Sequence, residues 1–506
     1  MLTKLTAFKK KEDSMASIST MEKDTKHDPT LTSGPADVEE GAVIDPAAEK
    51  ALVRRLDWNI LPLVMAIYLI SFLDRVNIGN GRLFGLEKDL GLHGQQYQTC
   101  VSLLFVTYLL FEIPSNLLLK KIQPQRYLSL ACITWGIVAT LTGLTQNFGG
   151  LVACRLILGA LESGIFPALT LYLTFFYKRT ELGFRLAFIF VSSQSAGAFG
   201  GLLGYAIGHM DGIAGWRAWR WIFIIEGIPS VLLGVVVWFT LAPDSDRARY
   251  LTAADKELQK ARALKQVGYT EEGERFHWKD VRAAVRDYRT WLFGFGQYGT
   301  ETMWFGFSTF LPTIIKAIGT WTSIQVQLLT IPCYVLSATA YLIMARVSDH
   351  YRLRYIFTMI FLMISIIGYA LLMGDVSPGV SYLGCFFVAG GLSVSVALPL
   401  VWLPSNMPRY GKRAFGSGLQ LTLGAFGGVT APFIYVTKDS PRYLLGHGVT
   451  LGLLAFSGVL FTILYISYRH ANAQRAKGLE DHKLQGKTEH ELNAMADESP
   501  LFVYTL

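Results

Sequence analysis

The stretch NILPLVMAIYLISFLDRVNI, residues Asn59–Ile78, decides the fold because it is one unbroken and largely apolar run. A helix of roughly 20 such residues crosses the hydrocarbon core of a bilayer. The run therefore predicts a membrane-spanning helix, although it carries two charged residues, Asp74 and Arg75, near its end. Ionisable groups at membrane depth are costly and mark functional sites, so we expect this helix to contribute to one.

Eleven similar runs follow, and together they predict an all-α membrane protein with twelve transmembrane helices in two six-helix bundles. Only 17% of the residues are charged, against about 25% in a typical soluble protein. The runs are Asn59–Ile78, Thr99–Leu119, Tyr127–Thr145, Gly150–Phe176, Phe184–Gly208, Trp219–Leu241, Trp291–Ile315, Ile324–Ala345, Tyr355–Met373, Tyr382–Leu403, Ala414–Val436 and Leu445–Tyr468.

The polar stretches around the runs predict the domain boundaries. A segment that is rich in charge and poor in aromatics cannot bury enough apolar surface to fold alone. We therefore expect a disordered cytoplasmic N-terminal tail over residues 1–54, followed by a first helix that acts as an uncleaved signal anchor. The other predicted segments are a bundle over 55–242, a cytoplasmic loop over 243–290, a second bundle over 291–468 and a cytoplasmic tail over 469–506.

An internal repeat supports two equivalent halves. The fifth run contains the pentapeptide GAFGG at Gly197–Gly201, and the eleventh contains the same pentapeptide at Gly424–Gly428. The two copies lie six runs apart, as a parallel repeat requires. Small residues at these positions would let helices approach closely in lipid.

The distribution of basic residues predicts the orientation. The net charge is +8, but Lys and Arg occur in short clusters between apolar runs, for example Lys120, Lys121 and Arg126. Such clusters are typical of cytoplasmic membrane loops, so we expect no nucleic-acid partner. Their bias places both termini in the cytoplasm. We expect a monomer in the plasma membrane.

The fourth run carries two further charged residues, Arg155 and Glu162. A spacing of seven residues is nearly two helical turns, so both side chains should lie on one face of the helix. This helix runs antiparallel to the first, which places Arg155 near the depth of Asp74 and Arg75. Arginine matches a carboxylate, and a buried carboxylate can bind and release a proton, so the four residues suit an anion and a proton. The alternative is that they pair only with one another.

Uncharged polar side chains complete the expected substrate site, which would lie between the helices. We expect Asn77, Gln194 and Tyr298 to contact substrate, although hydrogen bonding between helices would explain each of them as well. Glu112 and Glu226 also lie in apolar runs, and we expect them to hold helices together. The five cysteines show no metal-ligand spacing, and no phosphate-binding loop occurs, so we expect no metal, no cofactor and no enzyme activity.

The loop after the eighth run predicts a charge lock at the cytoplasmic side. It reads Arg346-Val-Ser-Asp-His-Tyr-Arg-Leu-Arg354 and holds Arg346, Asp349 and Arg352 in one tight turn. We expect these three residues to act as a gate, through a charge lock that breaks when the two halves rock, with plain positive-inside charge as the alternative.

Four motifs show a family resemblance. Over residues 55–470 the chain resembles the major facilitator superfamily, and within it the anion:cation symporter group, in particular the fungal allantoate and nicotinate permeases. The motifs are FLDRVN at Phe72–Asn77, FEIPSNLLLK at Phe111–Lys120, RLILGALESG at Arg155–Gly164 and WRWIFIIEGIP at Trp219–Pro229.

The resemblance implies roles for the charged residues and alternating access between the two bundles. In this group Arg75 and Arg155 match positions that bind the substrate carboxylate, and Asp74 and Glu162 match positions that carry protons. The chain departs from the superfamily in the loop Leu119–Arg126, which lacks the usual glycine and acidic residue.

Together these observations predict a secondary transporter that carries a small organic anion with protons across a lipid bilayer. The expected substrate is a monocarboxylate such as nicotinate or allantoate. Two alternatives remain open: export of an acidic secondary metabolite, and a nutrient receptor that binds its ligand without transporting it.

Overall fold

The computed structural model describes residues 45–267, 277–351, 353–374, 376–484, 486 and 495–506. Every regular element in these ranges is a helix, which confirms the predicted all-α class. The helices of the first half are α1 (Pro46–Leu83), α2 (Leu86–Asp89), α3 (Gln96–Lys121), α4 (Pro124–Thr142), α5 (Phe148–Glu162), α6 (Ile165–Thr174), α7 (Arg179–Gly208) and α8 (Ala218–Thr240).

The second half begins with two shorter helices in the stretch that we predicted as the inter-bundle loop. The helices from residue 253 onward are α9 (Ala253–Val267), α10 (Trp278–Arg286), α11 (Tyr288–Ile318), α12 (Ser323–Tyr351), α13 (Arg354–Met373), α14 (Pro378–Ser405), α15 (Tyr410–Ile434) and α16 (Leu444–Ala476).

All twelve predicted runs lie on helices, the fourth of them on the pair α5 and α6. By length and composition, nine helical stretches in the described ranges could cross a membrane. The runs outside these nine lie on α4, α11 and α15, which have 19, 31 and 25 residues. The structure is consistent with twelve spans.

The first long helix begins before the predicted tail boundary. Asp45 caps α1, because its carboxylate accepts hydrogen bonds from the backbone N–H groups of Ala47 and Ala48. Pro46 follows at the first helical position, where its missing N–H costs nothing. Residues 46–54, which we predicted to be disordered, are therefore helical, whereas residues 1–44 of the predicted tail lie outside the described residues.

The other predicted tail is also partly folded. Helix α16 continues to Ala476, eight residues beyond the predicted end at 468. Further along, the backbone of Thr505 binds the Asn406 carboxamide in both directions, at 2.7 and 3.0 Å, and accepts a hydrogen bond from Trp402 at 2.8 Å. The last described residues thus pack against α14. The predicted boundaries of two separate bundles stay a prediction.

Helix packing follows the predicted internal repeat. In the first half, α1 packs on α7 and α8, α3 packs on α5, and α4 packs on α8. In the second half, α11 packs on α15 and α16, α12 on α14, and α13 on α16, which are the equivalent pairs. Between the halves, α7 packs on α12 and α15 packs on α3, so the two cross-contacts are equivalent as well.

The repeated glycines lie at these two cross-contacts. A Cβ atom on Gly201 would lie 2.5 Å from Thr330 Oγ1 and 2.8 Å from the Gln327 carbonyl oxygen. A Cβ atom on Gly428 would lie 2.4 Å from the Phe105 ring. Only glycine fits at these approaches, which explains why both copies of the pentapeptide keep it.

Candidate functional site

A cavity lies between the two halves and is lined by helices from both. Its charged lining residues are Arg75 from α1, Glu112 from α3 and Glu301 from α11. Most of the remaining wall is aromatic. The aromatic lining residues are Tyr68, Phe72, Phe105, Tyr108, Phe166, Phe190, Trp304 and Phe305. An apolar cavity with a few charged groups is typical of a small-molecule site.

Arg75 forms the central ion pair of this cavity. Its Nε donates a hydrogen bond to Glu162 Oε2 at 2.6 Å, and the Glu162 side chain is fully buried. Ser71 approaches the same oxygen at 3.4 Å, whereas Glu162 Oε1 has no hydrogen-bond partner in the described part of the chain. The Tyr108 ring lies over the guanidinium, with its centroid 4.8 Å from Cζ. Two of the four predicted charged residues therefore meet, and one of them, Arg75, lines the cavity.

Asp74 faces the opposite way. Consecutive residues of a helix point about 100° apart, so neighbours in the sequence face different surroundings. Asp74 Oδ2 accepts a hydrogen bond from Trp135 Nε1 at 3.0 Å and a longer one from Ser230 Oγ at 3.4 Å. It therefore lies between α1, α4 and α8, away from the cavity lining.

Arg155 also lies behind the cavity. Its side chain is buried, and its Cζ atom lies 5.6 Å from the centre of the Phe223 ring on α8. Its Nε and Nη2 atoms make no hydrogen bond with the residues that the structure describes. Although Arg155 and Glu162 share one helix, Glu162 turns to Arg75 and Arg155 turns to α8. The structure does not bring Arg155 to the cavity lining.

The three predicted neutral substrate residues also lie outside the lining. Asn77 is fully buried beside Glu226 of α8. Gln194 is buried on α7, and neither of its amide atoms finds a partner among the described residues. Tyr298 donates a hydrogen bond to Thr430 Oγ1 at 3.2 Å, which links α11 to α15. Of the predicted substrate residues, Arg75 alone lines the cavity.

Glu301 and Trp304 also line the cavity. The sequence places both on a helix that would flank a cavity, although hydrogen bonding or packing between helices would explain each of them as well. Glu301 Oε1 accepts a hydrogen bond from Gln297 at 3.0 Å, and Gln297 in turn accepts one from Gln420 at 3.2 Å. The Trp304 indole N–H is buried and makes no hydrogen bond within the described residues. The signal that marked Glu301 was a carboxylate in the middle of an apolar run. Glu112, which we expected to be structural, lines the cavity as well.

Of the predicted gating residues, Asp349 pairs with Arg354, and both lie in the second half. The Arg346 guanidinium lies over the Phe184 ring of α7 at 5.2 Å and so joins the two halves. Arg352 lies outside the described residues. The gating role of the three residues stays a prediction.

The start of each half carries an ion pair that the sequence analysis missed. In the first half, Arg185 of α7 binds both carboxylate oxygens of Asp57 on α1, at 3.0 and 2.8 Å. In the second half, Lys412 of α15 pairs with Asp287, the N-cap of α11, at 2.9 Å. The pair α1 and α7 is equivalent in the repeat to the pair α11 and α15, so this ion pair occurs once in each half. It does so although the loop Leu119–Arg126 between α3 and α4 lacks the usual glycine and acidic residue.

The opposite end of the molecule is closed by hydrogen bonds between the halves. Gln327 donates to Asn80 at 3.3 Å, and Ser323 donates to the Leu83 carbonyl oxygen at 3.2 Å. Both contacts join the end of α1 to the start of α12. The cavity is therefore sealed on the side where α1 ends.

Long apolar helices around a cavity that is lined by one arginine and two carboxylates are typical of a membrane transport protein. The model of the Major Facilitator Superfamily matches residues 55–432, and the chain belongs to this family. It is therefore a membrane-embedded transporter with a small-molecule substrate, as its family and relatives show.

Relatives and solved structures agree with this assignment. The chain is 39% identical to an uncharacterized transporter of Schizosaccharomyces pombe, over 88% of this chain and 89% of that one. It is 32% identical to a high-affinity nicotinic acid transporter of Saccharomyces cerevisiae, over 90% of this chain and 85% of that one. A crystal structure of a bacterial homologue of the human lysosomal transporter Spinster has a TM-score of 0.62 at 15% identity, covering 81% and 96% of the two chains, which shows a shared fold.

Proposed function

We propose that the protein is a proton-coupled symporter of a small organic anion, with nicotinate or a related monocarboxylate as substrate. The observation that carries the proposal is the ion pair between Arg75 and Glu162 at the cavity. The 32% identity to a nicotinic acid transporter supports the substrate class. The aromatic wall of the cavity also favours a flat ring.

Coupling follows from a competition for Arg75. The substrate carboxylate and Glu162 are both anions, and the guanidinium is the cation that both would bind. When the substrate takes Arg75, Glu162 is left fully buried without its charge partner, which costs several kcal/mol unless it binds a proton. One proton therefore enters with one anion. Loss of that proton on the inner side restores the ion pair and expels the anion.

The proposed orientation has both termini in the cytoplasm of a monomer in the plasma membrane. In this orientation the end of α1 lies outside, so the contacts of Asn80 with Gln327 and of Leu83 with Ser323 close the outer side. The two halves, over 55–242 and 291–468, would rock about the cavity. Asp349, Arg346 and Arg352 would control opening at the inner side.

The experiment is uptake of radiolabelled nicotinate by proteoliposomes under an imposed pH gradient. We expect accumulation with an acidic exterior and its loss when a protonophore collapses the gradient. Uptake that ignores the gradient would refute proton coupling. Binding of nicotinate without any flux would instead favour the receptor alternative, and flux driven only in the outward direction would favour the exporter.

A further inference from the structure

Another cavity lies at the end of the molecule where α11 and α15 begin and α16 ends. Its volume is about 790 Å³, and its walls are these three helices and the segment 495–506, which we call the strap. The volume falls in the range of small-molecule sites. None of its lining residues lines the cavity between the two halves, so it is a separate candidate site.

The strap is fixed to the helices by hydrogen bonds and an ion pair. The Asn472 carboxamide binds the backbone of Tyr504 in both directions, at 2.8 and 2.9 Å. Arg475 of α16 donates to the Asp497 carbonyl oxygen at 2.9 Å, and the Asp497 carboxylate pairs with Lys412 of α15 at 2.6 Å. The strap therefore forms a built wall of the cavity.

The wall that α16 contributes changes from apolar to polar along the helix. Its lining residues include Ile463, Ile466, Ser467, His470 and Gln474, whose spacing of three and four places them on one helical face. They extend over roughly 17 Å. Ile463 and Ile466 are 43% and 59% exposed and lie in the twelfth predicted membrane run. A bilayer changes in the same direction, from acyl chains to headgroups.

The start of α11 places the cavity at the surface of the bilayer. Tyr288 and Arg289 line the cavity, and the seventh predicted membrane run begins at Trp291, two residues further on. Both Tyr288 and Trp291 have exposed rings. Such residues are enriched where a membrane meets water. The cavity thus extends from the predicted lipid-facing surface to the polar strap.

Arg289 is the cation that the cavity offers to a ligand. Its Nε donates a hydrogen bond to Ser467 Oγ at 2.9 Å. Its Cζ lies 5.0 Å from the centre of the Tyr468 ring and 5.1 Å from that of Tyr504, so packing fixes the guanidinium. It makes no ion pair with the residues that the structure describes. Because a guanidinium matches phosphate geometry, Arg289 suits a phosphate group.

The charge balance of the lining indicates which phosphate compound fits. The basic lining residues are Arg289, Lys412 and Arg475, and the acidic ones are Asp287, Glu480, Asp497 and Glu498. With His470 counted as neutral, the lining has a net charge of −1 and disfavours a ligand with a net negative charge. A ligand that carries a phosphate and a cation together can bind both kinds of group. The Glu498 side chain is 62% exposed and therefore accessible to such a cation.

We propose that this cavity binds a zwitterionic phospholipid, phosphatidylethanolamine in chemical class. The phosphate binds Arg289, the ammonium lies near Glu498, and the acyl chains follow Ile463 and Ile466 into the bilayer. A primary ammonium donates three hydrogen bonds to carboxylates, whereas the trimethylammonium of phosphatidylcholine donates none. The bound lipid joins α11 and α16 to the strap. The inference does not depend on which substrate the protein transports.

The test measures binding of short-chain lipids to the purified full-length protein in detergent. A ligand that binds the folded state raises the melting temperature, and the concentration dependence gives its affinity. With dioctanoyl lipids we expect phosphatidylethanolamine to bind more tightly than phosphatidylcholine, and phosphatidylglycerol to bind most weakly. Phosphatidylethanolamine should also slow amide hydrogen exchange in the strap, which locates the binding site.

Substitutions test the two ends of the headgroup. Arg289→Gln should lower the affinity for phosphatidylethanolamine roughly 10- to 100-fold, as expected for the loss of a hydrogen bond to a charged group. Arg289→Lys keeps the charge and should lose less. Glu498→Gln should reduce the preference for phosphatidylethanolamine over phosphatidylcholine. The matched control is Arg282→Gln, an exposed residue of α10 that does not line this cavity and should bind the lipid like the wild type.

The melting temperature of each variant without lipid shows whether it is folded, and the remaining outcomes overturn the inference. Glycerophosphoethanolamine and inorganic phosphate lack acyl chains, so equal binding of either would assign the cavity to a free phosphate compound. Phosphatidylglycerol binding as tightly as phosphatidylethanolamine would exclude a zwitterionic site. Equal losses in Arg282→Gln and Arg289→Gln would show that general positive charge at the membrane surface attracts the lipid.

Discussion

Arg75 Nε on α1 and Glu162 Oε2 on α5 lie 2.6 Å apart, and Arg75 lines the cavity between the two halves. The cation at the cavity is therefore balanced by a carboxylate of the protein. An anion can bind Arg75 only if it competes with this partner, and a buried carboxylate that loses its partner takes up a proton. The distance between these two atoms is the physical basis of the proposed coupling.

The first prediction concerns Glu162→Gln. A glutamine side chain imitates the protonated acid, so Arg75 should be permanently free to bind the anion. We expect exchange of labelled for unlabelled nicotinate to persist and pH-driven accumulation to be lost. The matched control is Glu257→Gln on α9, because the Glu257 side chain is 74% exposed. Full concentrative uptake by Glu162→Gln would contradict the proposed role.

The second prediction concerns Arg75→Lys. Lysine keeps the charge but loses the planar fork that binds a carboxylate through two nitrogens. We expect nicotinate affinity to fall roughly tenfold or more, since a hydrogen bond to a charged group contributes about 1.5–3 kcal/mol. Binding to purified protein measures the effect, with the exposed Arg217→Lys as the control. Equal affinity in both variants would show that Arg75 does not hold the carboxylate.

The sequence predicted the helices well, because a long apolar run that crosses a bilayer must satisfy its backbone hydrogen bonds internally, and a helix does so within the run itself. It also predicted the equivalence of Gly201 and Gly428, since identical pentapeptides six runs apart report a repeat. It could not predict which side chains meet at the cavity. Helix α1 is buried on several faces, so composition does not distinguish the side that carries Asp74 from the side that carries Arg75.

The spacing of Arg155 and Glu162 shows the same limit. Seven residues place both Cα atoms on one face of α5, but long side chains reach different neighbours from that face. Glu162, the last residue of α5, reaches Arg75, whereas Arg155 reaches the Phe223 ring. The helical period determines the direction in which each side chain leaves the helix. Packing against neighbouring helices determines which residue that side chain contacts.

The third prediction concerns the aromatic wall. The Trp304 ring makes edge contacts with Phe72 at 6.1 Å and with Phe190 at 6.2 Å, so this residue of the second half packs on aromatic residues of the first half. Aromatic pairs contribute about 0.5–1.5 kcal/mol beyond burial, so Trp304→Leu should weaken binding of benzoate roughly two- to tenfold. Cyclohexanecarboxylate has the same charge and similar size without the aromatic ring, and its binding should change less.

Competition of the two acids against labelled nicotinate measures this selectivity. The matched control is Trp238→Leu on α8, because Trp238 is exposed on the surface and does not line the cavity. If Trp304→Leu lowers the affinity for benzoate and for cyclohexanecarboxylate equally, the indole fills space in the cavity and makes no specific contact with an aromatic ring.

The fourth prediction concerns the contact of α7 with α12. A methyl group on Gly201 would meet the Thr330 hydroxyl and the Gln327 carbonyl, and Gln327 also binds Asn80 across the halves. Backbone atoms cannot swing away as a side chain can, so Gly201→Ala should separate the halves where they close the cavity. Overpacking of this kind costs about 1–3 kcal/mol, which should lower the melting temperature of the purified protein.

The control for this variant lies on the same helix. A Cβ atom on Gly183 would meet nothing within 4 Å, so Gly183→Ala tests the intrinsic effect of alanine alone. Alanine is favoured over glycine in a helix interior by about 1 kcal/mol, and Gly183→Ala should therefore leave the melting temperature unchanged or raise it. Because the two substitutions are chemically identical, a difference in sign isolates the contact with Gln327. If both variants raise the melting temperature equally, the close approach of α7 and α12 does not hold the halves together.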